Sequence, residues 1–147
     1  MNQPSKLLRT FRMSVLLTLV VLALEFILGM YTNLFIAFPD GLVNGNAWKW
    51  SMAQSPIISA HVLLGTLLLA ASLLDLGLGL ALKSKTAMLS SVTGLLMMGL
   101  AYFSGSAFLT NVQMGGYSFA MALGFIGALA AYSAAYYLTR PAGQIAS

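Results

Sequence analysis

Residues 86–139 read TAMLSSVTGLLMMGLAYFSGSAFLTNVQMGGYSFAMALGFIGALAAYSAAYYLT, 54 positions between Lys85 and Arg140 without one charged side chain. The run divides at the polar patch Asn111-Val112-Gln113-Met114-Gly115-Gly116 into two apolar stretches. Each is long enough to cross a hydrocarbon core, which takes about 20 helical residues. Two more such stretches precede it. The expected spans are residues 13–34, 57–82, 86–109 and 117–139, with an outer connection over 35–55. The fold class read from this pattern is all-α, an integral membrane up-down-up-down four-helix bundle forming one domain.

Composition points the same way. Hydrophobic residues make up 59% of the 147 positions and charged residues 7%, against about 25% charged in an ordinary soluble protein. The longest polar connection is too short to bury a core of its own, which excludes a separate extramembrane domain. A net charge of +4 invites a nucleic-acid reading. That reading fails, because the basic residues flank apolar spans and form no patch with interleaved aromatics. There is no cysteine, so disulfides, thiolate metal sites and cysteine nucleophiles are excluded.

The ends of the spans carry their own signals. Lys6, Arg9 and Arg12 lead into the first apolar run, which is too long for a cleaved signal peptide and reads as a retained helix. Ser55-Pro56 reads as an N-cap followed by the first helical residue. Arg140-Pro141 closes the last helix. In a four-span arrangement Lys6, Arg9, Arg12, Lys83, Lys85 and Arg140 fall on one side and Lys49 alone on the other. The positive-inside bias then puts both termini in the cytoplasm, with the plasma membrane as the location. In the outer connection, Pro39-Asp40-Gly41 and Asn44-Gly45 are turn signals. Trp48 and Trp50 belong at headgroup level, as an anchor or as a lid over the mouth of the bundle.

Small and polar residues mark the faces that membrane helices present to each other. The first span offers Ser14, Thr18, Val21, Glu25, Gly29 and Thr32. The second offers His61, Gly65, Leu68, Ser72, Asp75 and Gly79, the third Ser90, Gly94, Met97, Ala101 and Gly105. The fourth offers Met121, Gly124, Ala128, Ala131 and Ala135. Its further small residues, Ala120, Gly127 and Ala134, suit either internal packing or a second copy.

Three titratable residues lie inside the spans: Glu25, His61 and Asp75. Ionisable groups at membrane depth are costly and mark functional positions by default. Asp75 is expected to pair with Arg12 or with a snorkelling Lys83. His61 is expected near the outer end of its helix, where imidazole can ligate a heme iron or carry a proton. Gly65, one turn deeper, would admit a flat macrocycle. Met121, at similar depth on the fourth span, is the candidate second axial ligand. Without a ligand, His61 needs a hydrogen-bond acceptor from the first or fourth span. Glu25, counted several ångströms deeper, is the less expected partner.

Two resemblances follow from these residues. Leu28-Gly29-Met30-Tyr31-Thr32-Asn33-Leu34-Phe35, Pro39, and His61 with Gly65 resemble a family of small four-span prokaryotic membrane proteins. So do Gly105-Ser106-Ala107-Phe108-Leu109-Thr110-Asn111 and Ser118-Phe119-Ala120-Met121-Ala122. The resemblance implies the four-span fold and brings no activity with it. A four-span unit with a histidine on its second helix is also similar to one half of heme A synthase, which implies a heme held through His61. That family's second histidine has no counterpart here, and Ile58 stands where its Glu-x-x-His pattern places the glutamate.

No phosphate-binding loop, carboxylate pair or Ser-His-Asp set can be assembled, so catalysis is not the reading. The expected function is a non-catalytic membrane protein, an accessory subunit or small self-associating module. Its expected partners are the lipid bilayer and either a homo-oligomer or a larger membrane complex. A b-type heme protein for electron transfer or heme handling is the first alternative. A small transporter or channel is the second.

Overall fold

The computed structural model describes residues 3–39, 45–111 and 115–140. The chain is all-α, with five helices: α1 (Gln3–Phe35), α2 (Gly45–Gln54), α3 (Pro56–Ala81), α4 (Lys85–Thr110) and α5 (Gly115–Leu138). Four of them are long and apolar enough to cross a membrane: α1 from Lys6 onward, α3, α4 and α5. The turn signals at Pro39-Asp40-Gly41 and Asn44-Gly45, and the middle of the 111–116 patch, lie wholly or partly outside the described residues.

The connection expected to be irregular contains the ten-residue α2. Its sequence carries no apolar stripe that would announce a helix. Instead Ala47 and Ser51, one turn apart, are buried while Lys49 is exposed. The helix packs against α3 and α4, and short helices draw their stability from such packing more than from propensity. Phe38 clamps it from the side, 5.4 Å from Trp50 and 5.6 Å from Phe108 between ring centroids.

The α3 start follows the sequence closely. Ser55 Oγ accepts from the Ile57 N–H at 3.3 Å, and Pro56 occupies the first helical turn. The α3–α4 turn is tight. Leu82 caps α3, Ser84 caps α4, and Lys83 between them has a left-handed backbone with φ 53°.

The long helices bury polar side chains and expose large apolar ones. Thr18, Ser72, Asp75 and Ser91 are buried, whereas Leu17, Leu24, Leu63, Leu89, Phe103 and Ile126 are exposed. Phe11, Val15, Leu22, Leu68, Met98 and Tyr132 form the apolar interior. Close approach is set by glycine. At Gly124 a Cβ would lie 2.7 Å from both the Met97 carbonyl oxygen and the Ala101 nitrogen; at Gly94 it would enter the Tyr132 ring. Gly79 stands equally close to Ser91 and the Ala87 backbone.

The expected faces of α3 and α5 coincide with the observed interior; on α1, Thr18 and Thr32 are buried as expected but so are Phe11, Val15 and Leu22 from outside the stripe, and the face of α4 is split. Ala87, Ser91 and Met98 are buried in place of a single Ser90–Met97 line, while Met97, Ala101 and Gly105 meet Gly127, Gly124 and Met121 of α5. A helix with neighbours on two sides, α3 and α5, needs two small faces, which one heptad stripe cannot supply. Of the further small residues on α5, Gly127 packs internally against Met97. Small residues also face outward: Ala70, Gly77 and Ala81 are exposed on α3, as are Ala23 on α1 and Ala122 and Ala130 on α5, and nothing stands within 4 Å of a Cβ at Gly77.

Contacts between distant segments gather most of the cations at one end. The Arg12 guanidinium sits 4.8 Å above the Tyr136 ring, joining the start of α1 to the end of α5. Ser14 bonds Asp75, joining it to the last turns of α3. Lys49 lies on α2 at the other end, where Ser59 Oγ donates to the Met52 carbonyl at 3.2 Å.

Candidate functional site: a cavity walled by Glu25 and His61

The two polar centres within the long apolar helices lie in opposite halves of the molecule. The first is Asp75, fully buried at 0% exposure. Ser14 Oγ donates to one carboxylate oxygen at 2.5 Å and Thr18 Oγ1 to the other at 2.8 Å. No ion pair of Asp75 with Arg12 or Lys83 forms among the described residues, contrary to expectation. The reason is local: Ser14 and Thr18, one turn apart on α1, present both hydroxyls to the carboxyl group, so its oxygens are satisfied without a cation. Arg12 turns to Tyr136 instead, and Lys83 is exposed on the turn.

The second centre joins α1 to α3. His61 Nδ1 and Glu25 Oε1 are 2.7 Å apart, with the two side chains 26% and 13% exposed. Separation alone marks an ion-pair contact, yet His61 Nδ1 also remains a buried nitrogen without an aligned hydrogen bond. The ring meets the carboxylate obliquely, and we describe the contact as a close polar pair and not as a linear hydrogen bond. Glu25 is therefore the partner that depth counting disfavoured. The backbone offset is as counted, with His61 level with Gly29 and Glu25 level with Gly65 one turn deeper; the length of the glutamate side chain closes it.

Two glycines make this pairing possible, each on the helix opposite the group it admits. A Cβ on Gly29 of α1 would lie 3.1 Å from His61 Cε1, and a Cβ on Gly65 of α3 would lie 3.1 Å from Glu25 Oε1. Glu25-x-x-x-Gly29 faces His61-x-x-x-Gly65, and each ionisable side chain rests over its partner helix's glycine. The space beside Gly65, expected to receive a macrocycle, is where Glu25 Oε1 sits.

Glu25, Gly29, His61 and Gly65 form part of the wall of a cavity of about 350 Å³. The remaining wall is largely apolar and aromatic. It includes Phe26 stacked on Phe125 at 4.7 Å, together with Phe38, Trp48, Tyr102 and Phe108. Met121 also lines it, its sulfur 3.1 Å from the position of a Cβ on Gly105. Thr32, 7% exposed, lines it too, and among the described residues its Oγ1 has no hydrogen-bond partner; neither has Glu25 Oε2. At the far rim Ser118 Oγ donates to Asn33 Oδ1 at 3.4 Å. No lysine or arginine is among the lining residues.

The structure thus brings His61, Gly65, Met121 and Glu25 to one cavity and leaves Asp75 outside it. Trp48 was legible as a lid candidate, but Thr32 and the ring of phenylalanines were not legible as site residues. Thr32 was visible only as one more small residue on the α1 stripe.

No family model matches the chain, and neither a curated protein nor a solved structure matches it significantly.

Proposed function

We propose that the protein is a non-catalytic integral membrane protein, an up-down-up-down four-helix bundle with both termini on the cytoplasmic side. It serves as an accessory subunit or a small self-associating module of the plasma membrane. The observation that carries this reading is the inverted distribution of polarity: Thr18, Ser72, Asp75 and Ser91 inside, large apolar side chains outside on all four long helices. In water that outer surface far exceeds the apolar patch a soluble monomer tolerates. In lipid it is the ordinary exterior. Gly77 and Ala81, small, exposed and one turn apart on α3, suit close approach by a second helix.

The test is cross-linking in native membranes followed by sizing in mild detergent. The reading expects a discrete assembly of this chain, alone or with other chains. If the assembly is a homo-oligomer through α3, Gly77→Leu disperses it. A strictly monomeric species before and after solubilisation would overturn the reading.

A second reading, a b-type heme protein with His61 as axial ligand, is favoured by one observation. A metal-ligating histidine commonly holds a carboxylate at its other ring nitrogen. Glu25 occupies that position at Nδ1 and leaves Nε2 uncommitted. Two features of the wall fit heme poorly: it offers no cation for propionates, and 350 Å³ is at the low end of small-molecule sites of about 300–1,000 Å³. A Soret band in the purified protein, lost in His61→Ala and altered in Met121→Leu, would establish it.

The channel or transporter reading has less support. His61 and Asp75 are 14 residues apart on α3, about 21 Å at 1.5 Å per residue. Leu22 and Leu68, both buried, fill the interval.

A further inference from the structure

We propose that the cavity is a binding site for a neutral ring-bearing ligand with a free hydroxyl, of the phenol or quinol class. Its hydroxyl would be held between the Glu25–His61 pair and Thr32. The proposal rests on the membrane reading only for how such a ligand arrives, from the apolar phase.

The polar end of the site fixes the head group. Glu25 Oε2 and Thr32 Oγ1 are buried without partners at the wall of one cavity, and native proteins rarely leave such atoms unpaired. His61, whose Nδ1 faces Glu25, lines the same cavity and makes no hydrogen bond through Nε2 among the described residues. With Nδ1 turned to the carboxylate, Nε2 of a neutral ring is an acceptor. Glu25 Oε2 is an acceptor and Thr32 Oγ1 a donor. The His61 ring lies beside Gly29, three residues before Thr32 on α1, so a hydroxyl at that level can donate toward Nε2 and accept from Thr32. A carbonyl or an ether oxygen would leave the acceptors unpaired.

Charge excludes the common alternatives. No lysine or arginine lines the cavity, and Glu25 does. Phosphate head groups, fatty-acid carboxylates and propionates therefore find no counter-charge and meet an acidic group. The apolar end selects for a ring. Phe26, Phe125, Phe38, Trp48 and Phe108 surround the space, and aromatic faces reward stacked or edge-on rings. A volume of about 350 Å³ suits one ring and a short chain.

Trp48 lies in the wall and supplies the readout. In the full chain carrying Trp50→Phe, reconstituted in nanodiscs, 4-heptylphenol is titrated while Trp48 emission is followed, with its methyl ether as the control ligand. The phenol should give a saturable change. The ether should bind about fivefold to tenfold more weakly, the worth of one hydrogen bond. Thr32→Val, which keeps the side-chain shape, should cost the phenol and the ether a similar factor, since either oxygen can accept from Thr32. Val62→Phe, which narrows a lining position, should abolish saturation for both.

Equal binding of phenol and ether would overturn the proposal and mark the cavity as an unselective apolar space. So would saturable binding unchanged in Val62→Phe. Hemin binding with a His61-dependent Soret band, without phenol binding, would assign the cavity to heme instead. Carbonate-resistant membrane retention, measured on each variant, reports separately on the membrane reading.

Discussion

Asp75 and His61 answer the same difficulty, a polar group within a long apolar helix, in two ways. Asp75 is closed off by two hydroxyls from α1. Removing one of them while keeping the shape tests how much that closure matters. Thr18→Val should destabilise the protein by about 1–3 kcal/mol, the cost of leaving a buried polar atom without its partner, whereas Thr18→Ser should be tolerated. Thermal unfolding in detergent reads the difference. His61, by contrast, keeps an open side facing the cavity. His61→Gln retains a polar partner for Glu25, but His61→Leu strands the carboxylate among apolar atoms. The second should cost about 1–3 kcal/mol more than the first. Equal loss would mean that the 2.7 Å contact contributes nothing. Glu25, His61 and Asp75 were legible as candidates because charge is scarce in this chain. Their partners were less legible. Hydroxyl residues such as Ser14 and Thr18 look the same in sequence whether they face a carboxylate or a backbone carbonyl.

At the scale of helices, glycine sorts into positions that pack and positions that do not. Gly124→Ala places a methyl 2.7 Å from backbone atoms of Met97 and Ala101, which cannot swing away as a side-chain tip can. It should cost about 1–3 kcal/mol by overpacking. Gly77→Ala meets open space and should be neutral or stabilising by up to about 1 kcal/mol, since alanine is the better helix former. Chemical denaturation of the two variants side by side checks the contrast. The α3–α4 turn gives a third case. Lys83 holds φ 53°, a conformation that costs an L-residue roughly 1–2 kcal/mol and glycine little. Lys83→Gly should therefore raise the unfolding midpoint slightly. The four long helices and the Ser55-Pro56 start of α3 were legible because apolar length and capping chemistry are local. The split face of α4 and the short α2 were not. Both are decided by neighbours: α5 and α3 in the first case, the Phe38 clamp in the second.

For the molecule as a whole, the polar centres and the cations impose an axis. The Asp75 centre and the ends carrying Arg12, Lys83, Lys85 and Arg140 lie together; the Glu25–His61 cavity, Trp48 and α2 lie opposite. If the four long helices span a bilayer, the positive-inside rule orients that axis with the Asp75 end in the cytoplasm and the cavity toward the outer face. The proposed ligand would then enter from the outer half of the membrane. The central claim is this four-span arrangement, and paired reporter fusions test it most directly. A fusion after Ser147 and an insertion within residues 44–46 should report opposite sides, cytoplasmic for Ser147 and external for 44–46. The same side at both sites would contradict the four-span account.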